Sequence, residues 1–414
     1  MSASSKRKIV FLLGSGISIP AGMPKLDKIT ERVLSGEGIY YHEGDFSSNV
    51  LPYVEPAKKR LEEEQKENVR RIVKFLHRLK VEIDYYYERH KFKLDTNYED
   101  LYYMALQIFD SQIGNYDNPA VQALVDKIFP EIKSLLEKNN FRHEWTLSEL
   151  AEIATQYIEY VVSDELNNKQ LQPLDYLGCI KEACEDDDFS NVDIFTLNHD
   201  TVLETYFKRD GIQFTDGFFK PDGEKHRYWE PSLFNCESFK VRLFKLHGST
   251  KWFRFWREDS EDWRSESIVI PFLSHMKNYR IKDSKGRRLD AIDKRPILLI
   301  GTYNKMLEYT SGIFEELHYQ FYRSLRHVKK LVICGYGFGD RGINNKIIEW
   351  IYPSNNHRII LIDHKPETVR NKAGGSIRDK WNDWINEKKL IIIAKKIEET
   401  SWKDIRDSLF KTQG

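Results

Sequence analysis

Short, mainly apolar runs closed by glycine or polar residues constrain this chain more than any other feature. Ile9 to Leu13 lies between Lys8 and Gly14-Ser15-Gly16. Similar runs follow at Val192 to Thr196, Val241 to Leu246, Ile297 to Ile300, Leu331 to Cys334, Ile359 to Ile362 and Leu390 to Ile393. A continuous run of this length reads as a strand buried on both faces, which is the habit of parallel sheets. Amphipathic patterns separate several of them. Ile313, Phe314, Leu317, Phe321 and Leu325 share one helix face, as do Ile343, Ile347, Ile348 and Ile351. Strands alternating with helices predict an α/β fold, a Rossmann-type parallel sheet.

The first two runs are separated by a long stretch of another character. Val69, Ile72, Val73, Leu76, Leu79 and Ile83 recur at helical spacing in a charged segment. Leu101 to Phe109, Val121 to Phe129 and Leu147 to Val162 continue the helical pattern, the last behind a Thr146/Glu149 capping box. Residues 35–185 therefore read as a large helical insertion. Residues 1–34 and 186–414 form the discontinuous sheet domain, a division that suits a chain of 414 residues. Glu258 to Arg295, with Lys285-Gly286-Arg287-Arg288 at its centre, reads as a polar surface excursion: a solvated loop or hairpin, or a phosphate or nucleic-acid contact.

Lys plus Arg equals Asp plus Glu at 64 each, so no bulk field favours nucleic acid for the isolated chain. Cys179, Cys184, Cys236 and Cys334 form no C-x-x-C pair and read as reduced, buried thiols. The basic Lys6-Arg7-Lys8 before Ile9 imitates a signal peptide. The apolar run behind it is shorter than the about 7–15 residues of a secretory core. The expectation is a cytoplasmic protein with no membrane segment.

Four clusters of chemistry-bearing residues follow apolar runs. Gly14-Ser15-Gly16-Ile17-Ser18 is a turn through which backbone amides approach a pyrophosphate. A tight turn without a ligand has the same sequence. Thr196-Leu197-Asn198-His199-Asp200 places polar groups at a strand end, where α/β sheets bind ligands; Asn198 or Asp200 capping the next helix fits equally. Lys245-Leu246-His247-Gly248-Ser249 exposes a histidine beside a glycine, although a lone histidine is more often structural. Cys334-Gly335-Tyr336-Gly337-Phe338-Gly339-Asp340 alternates glycines for close backbone approach. One strand later, Asp363 is placed to accept ribose hydroxyls, or to cap a surface turn.

Together these motifs resemble the sirtuins. Gly14-Ser15-Gly16-Ile17-Ser18 with Gly22-Met23-Pro24 is similar to the family's G-A-G-I-S…G-x-P cofactor loop. Thr196 to Asp200 resembles T-Q-N-x-D, and Leu246-His247-Gly248-Ser249 matches the L-H-G-S around the catalytic histidine. Gly335-Tyr336-Gly337-Phe338 and Ile362-Asp363 resemble the late segments that hold adenosine. The family's four-cysteine zinc module has no counterpart, Leu197 replaces the usual Gln, and Lys-Leu-Asp follows Pro24 in place of Phe-Arg. The pattern looks more like sirtuin-like NADases of bacterial antiphage defence, above all the stand-alone type paired with a HerA-type ATPase.

That resemblance implies NAD as substrate, no zinc, and hydrolysis to nicotinamide and ADP-ribose that depletes NAD during abortive infection. It implies Asn198, His247 and Asp200 as catalytic residues. Gly14, Ser15, Gly16 and Ser18 would line the pyrophosphate; Gly335, Tyr336, Gly337, Phe338 and Asp363 would hold the adenosine end. It also implies a homo-oligomer. A protein deacylase and a non-catalytic NAD or ADP-ribose sensor are the alternatives.

Overall fold

The computed structural model describes residues 7–42, 44–48, 57–92, 94–113, 119–138, 144–257, 266–272, 280–301 and 304–410. The chain divides into two units: 1–23 with 166–299 and 305–414, and 24–165 with 300–304.

The first unit is built on a seven-stranded sheet. In spatial order its strands are Leu390–Ile393, Arg358–Ile362, Lys330–Cys334, Arg7–Leu13, Phe189–Thr196, Val241–Lys245 and Phe214–Thr215. Every pairing is parallel. Alternate side chains of the buried strands enter two separate cores. Val10, Leu12, Phe195, Leu331, Ile333, Ile359 and Leu361 pack with Ile313, Leu317 and Phe321 of helix Gly312–Arg326 and Ile343 and Ile347 of helix Arg341–Ile351. Ile9, Phe11, Leu13, Val192, Ile194, Val332 and Ile360 pack on the other face. Their partners include Ile180 and Ala183 of helix Gly178–Glu185, Val202 and Leu203 of helix Val202–Arg209, and Ile405 and Leu409 of helix Trp402–Phe410. Burial on both faces explains why the runs lack polar alternation.

The register decides where the loops go. Leu13 pairs with both Thr196 and Cys334, Thr196 with Lys245, Cys334 with Ile362, and Ile362 with Ile393. These strands therefore end on one rung, and the loops that follow them leave from one edge. The chain order reverses between Arg7–Leu13 and Lys330–Cys334, so the crevice of a doubly wound sheet lies there. Two glycine turns meet at that seam. Gly16 N donates to Gly335 O at 2.9 Å and Gly14 N to Cys334 O at 3.0 Å. A Cβ on Gly14 would stand 2.4 Å from Gly335 O, and one on Gly335, whose φ is +66°, would stand 2.5 Å from Ile17 N.

Three sequence expectations need correction. The Ile297 to Ile300 run is not a strand of the parallel sheet. Its first residues close strand Arg288–Leu298 in a second, six-stranded sheet, pairing antiparallel with strand Gly248–Arg257. Pro296, which has no amide to donate, sits at a register shift there. Much of the expected polar excursion also belongs to that sheet, through Ser267–Ile270, Arg280–Lys282 and Arg288–Leu298 over a core of Phe253, Phe255, Val269, Ile281 and Leu289. Its arginines pair with acids of the same sheet. Arg287 pairs with Asp283 at 2.6 Å, and Arg288 and Arg280 both reach Asp290 at 2.9 Å. Residues 258–265 and 273–279 of the excursion lie outside the described residues. The two-residue edge strand Phe214–Thr215 carries too little pattern to be read in advance. Leu177, Cys179, Ile180 and Ala183, which periodicity groups with the insertion, belong to the core under the sheet.

The second unit is helical, with Leu26–Ser35, Ala57–Arg89, Tyr98–Ile113, Gln122–Leu136 and most of Leu147–Asn167. Val69, Ile72, Leu76 and Leu79 are buried, as the spacing predicts. The capping box forms: Thr146 N donates to Glu149 Oε2 at 2.6 Å, and Glu149 N to Thr146 Oγ1 at 3.2 Å. Among the described residues, no helix is long and apolar enough to cross a membrane.

The seam yields a paired test. Gly211 has φ +69° with open space around it, so Gly211→Ala carries only the left-handed backbone cost of about 1–2 kcal/mol. Gly335→Ala adds a backbone collision, and chemical denaturation should show a clearly larger loss of stability for it. Equal losses would contradict the interlocked seam.

Candidate functional site

Every candidate residue lies in the sheet-bearing unit, and register brings two of them to neighbouring strand ends. Asn198 and His247 each stand two residues beyond the paired Thr196 and Lys245. Asn198 is buried, and Thr196 Oγ1 accepts from its backbone amide at 3.1 Å. Its side-chain Nδ2 donates to Gly14 O at 3.2 Å and to Ser18 Oγ at 3.0 Å. A carbonyl can only accept, so this contact fixes the amide orientation. Oδ1 then faces away from the glycine turn, buried and without a hydrogen-bond partner among the described residues. An orphaned buried acceptor is costly and uncommon in a native interior.

His247 is held from three sides. Leu299 N donates to its carbonyl at 2.9 Å. Gly248 follows at φ +85°, where a Cβ would stand 2.1 Å from Ile297 O, so only glycine lets the chain turn from the histidine into the second sheet. On the ring, Nε2 lies 3.0 Å from Asp340 Oδ2 and 3.3 Å from Tyr309 Oη. Tyr309 also donates to Asp340 Oδ2 at 2.5 Å. Burial opposes ionisation of Asp340. The hydrogen bond and charge of His247 and the charge of Lys305 outweigh it, and its carboxyl is held well below the usual range.

Two further imidazoles stand close by. His199 has its ring centroid 6.2 Å from that of His247, and its buried Nδ1 has no partner among the described residues. Burial, followed by His247, Lys305 and Lys245, pushes its pKa well below the ordinary value. His318 stacks on Tyr309 at 3.7 Å between centroids and points Nε2 at Leu246 O, 3.3 Å away. Burial first, then His247, lowers its pKa to about 3. Both rings are neutral at pH 7.

The remaining candidates fall elsewhere. Asp200 Oδ1 accepts from Val202 N at 2.9 Å, so its carboxylate serves the start of the next helix. Its carbonyl accepts from Lys245 Nζ, which also pairs with buried Glu204 at 3.0 Å. Burial raises the Glu204 pKa against the pull of Lys245. Tyr336 and Phe338 turn inward to the core; Tyr336 Oη donates to Asn344 Oδ1 at 2.8 Å. Gly337 and Gly339 are exposed on that loop, and Ser15 on the first turn. Asp363 Oδ1 accepts from Lys365 N at 2.6 Å at its strand end. Of the cysteines, Cys179, Cys184 and Cys334 are buried, and burial pushes the Cys179 and Cys184 thiols up to about 12. Cys236 is exposed, which corrects the expectation of four buried thiols.

Sequence reasoning missed Asp340 and Tyr309 as site residues. Asp340 carries one local signal, an acid ahead of an apolar-periodic helix, and it does cap helix Arg341–Ile351 through Ile343 N at 2.9 Å. Nothing local to Tyr309 points to His247.

Residues 192–390 match the family profile described as a SIR2-like domain. That SIR2-like stretch contains Asn198, His247, Tyr309, Asp340 and Asp363; the first glycine turn lies outside it. No curated protein sequence matches the chain. Among solved structures, a Sir2 homologue in complex with ADP-ribose aligns over 99% of this chain and 96% of its own, at 11% identity and a TM-score of 0.35. A Sir2 homologue–NAD complex aligns over 98% and 91%, at 11% identity and a TM-score of 0.36. Superposition at that level is loose, and the fold of this chain is defined by its own strand register.

The buried neutral imidazoles set a pH dependence. A histidine whose folded pKa is depressed contributes stability that is whole above the unfolded value of about 6.5 and is lost as pH falls toward the folded value. For His318 that window runs from about 6.5 down to about 3. Urea unfolding at stepped pH should therefore show a shallower loss of stability across this window in His318→Gln than in the wild type. Parallel curves would contradict the assignment.

Proposed function

We propose that this chain hydrolyses NAD to nicotinamide and ADP-ribose. The observation that carries the reading is the buried Oδ1 of Asn198, without a hydrogen-bond partner among the described residues, at the strand end next to His247. An acceptor held there by the two hydrogen bonds that Nδ2 of the same amide donates suits a hydroxyl donor, either a ribose hydroxyl or the attacking water. The SIR2-like match and the four ordered motifs support the choice of NAD.

The chemistry asks little of the protein in acid catalysis. Nicotinamide in NAD is already cationic, and its departure leaves an oxocarbenium-like ribose, as in glycoside cleavage. His247 takes the proton as water attacks, a role suited to an imidazole near neutral pH. Asn198 orients the ribose and water. The exposed backbone at Ser15, Gly337 and Gly339 offers room for a pyrophosphate at the seam, and Asp363 stands at the strand end one place beyond for the adenosine ribose. Asp200 supports the Asn198 loop through the helix it starts. NAD depletion in antiphage defence, gated by a HerA-type ATPase or by self-assembly, extends the same reading. What supports it is the resemblance of the motifs to those effectors.

Purified protein incubated with NAD, with nicotinamide and ADP-ribose followed by chromatography, tests the assignment. The expected result is release in the wild type. His247→Ala and Asn198→Ala should keep ADP-ribose binding and fall at least about a hundredfold in rate, within the about 10²–10⁴ typical of a lost general base. Wild-type rates in either variant would overturn it. Nicotinamide released only with an acyl-lysine peptide present would favour a deacylase.

A further inference from the structure

We propose that Asp340 and Tyr309 are positioning residues that hold a proton of the His247 ring on Nε2, so that Nδ1 is the nitrogen that accepts a proton in the reaction. This deepens the NAD-hydrolysis reading and rests on it for the identity of the reaction.

The geometry is that of a clamp. One oxygen of Asp340 faces His247 Nε2 at 3.0 Å, and an ionised carboxylate can only accept, so Nε2 carries a proton. Tyr309 donates to the same oxygen at 2.5 Å, 3.3 Å from Nε2, which fixes that oxygen from a second direction. The other carboxylate oxygen accepts from Ile343 N at 2.9 Å at the start of an 11-residue helix, where backbone dipoles favour negative charge. The side chains of His247 and Asp340 are 5% and 8% exposed, so little water competes.

Tyr309 is itself held. His318 lies flat against its ring at 3.7 Å. Gly342 also comes so close to the ring that a Cβ there would stand 2.4 Å from Tyr309 Cε2. The clamp thus has a fixed back wall made from the helix that Asp340 caps.

The proton inventory follows. As the ribose–nicotinamide bond breaks, its electron pair leaves with nicotinamide and the water oxygen bonds to the ribose carbon. The water proton passes to Nδ1, directly or through a ribose hydroxyl. His247 becomes an imidazolium whose charge faces the Asp340 carboxylate, which keeps its own ionisation. The proton on Nδ1 then goes to solvent.

Asp340→Asn separates this role from a structural one. Asparagine caps helices as well as aspartate does, so the bond to Ile343 N and the fold persist. Its amide nitrogen would then face Nε2 as a donor and select the opposite tautomer. NAD turnover should fall by about 10²–10⁴ while KM stays near the wild-type value. The ring nitrogens of His247 should show the change directly. In protein labelled with ¹⁵N-histidine, with the signal assigned by its absence in His247→Gln, Nε2 should be proton-bearing in the wild type. In Asp340→Asn the proton should move to Nδ1. Tyr309→Phe keeps the carboxylate and should give a smaller fall in rate; it also serves as the second variant should Asp340→Asn fail to fold. A wild-type proton on Nδ1, an unchanged tautomer or wild-type turnover in folded Asp340→Asn, or wild-type turnover in Tyr309→Phe would overturn the proposal. A wild type that shows the Nε2–H tautomer yet releases no nicotinamide would uphold the clamp and sink the hydrolase reading.

Discussion

Two backbone turns pressed together at the middle of the sheet support everything else in the site. Gly14 and Gly16 on one side and Gly335 on the other approach so closely that no Cβ fits between them, and Gly16 N and Gly335 O share a hydrogen bond. The contact falls where the strand order reverses, the one place in a doubly wound sheet where two adjacent loops part to opposite faces. Because the strands end on one rung, fixing this seam also fixes the neighbouring ends. Asn198 is tied to Gly14 O through its amide, and its free oxygen is aimed as a result.

The site is therefore assembled by register rather than by loop length. His247 reaches it from the strand beside Asn198, and its backbone is then captured by the second sheet through Leu299 and the tight turn at Gly248. Asp340 reaches it from the far side of the seam, as the cap of the helix that follows Gly335. Buried polar groups of this density are costly unless paired. Most of them are paired; among the described residues Asn198 Oδ1, His199 Nδ1, His318 Nδ1 and Glu204 Oε2 are not, and on the proposed reading a substrate hydroxyl or water meets the first of these.

Much of this is legible in the chain because a parallel strand buried on both faces leaves a mainly apolar run. Six of the runs mark strands of the main sheet, and the polar residues that follow several of them leave from one edge. Ile297 to Ile300 was not legible as a strand of another sheet, since a short apolar run does not reveal its neighbours. The glycines were legible as close approaches, but the chain alone does not say that their nearest neighbour is another glycine turn. Tyr336 and Phe338 alternate with glycines, and the alternation hides that the aromatic rings face inward. Asp340 and Tyr309 meet His247 only through tertiary packing, a relation that no local pattern encodes.

The most direct test of the account is hydrogen exchange of backbone amides with and without saturating ADP-ribose. If the aligned strand ends form the binding edge, protection should rise at Ser15 to Ser18, at Asn198 to Asp200 and at Gly335 to Gly339, while the six-stranded sheet around Val269 stays unchanged. Binding that leaves these three segments unprotected and protects another surface would contradict it.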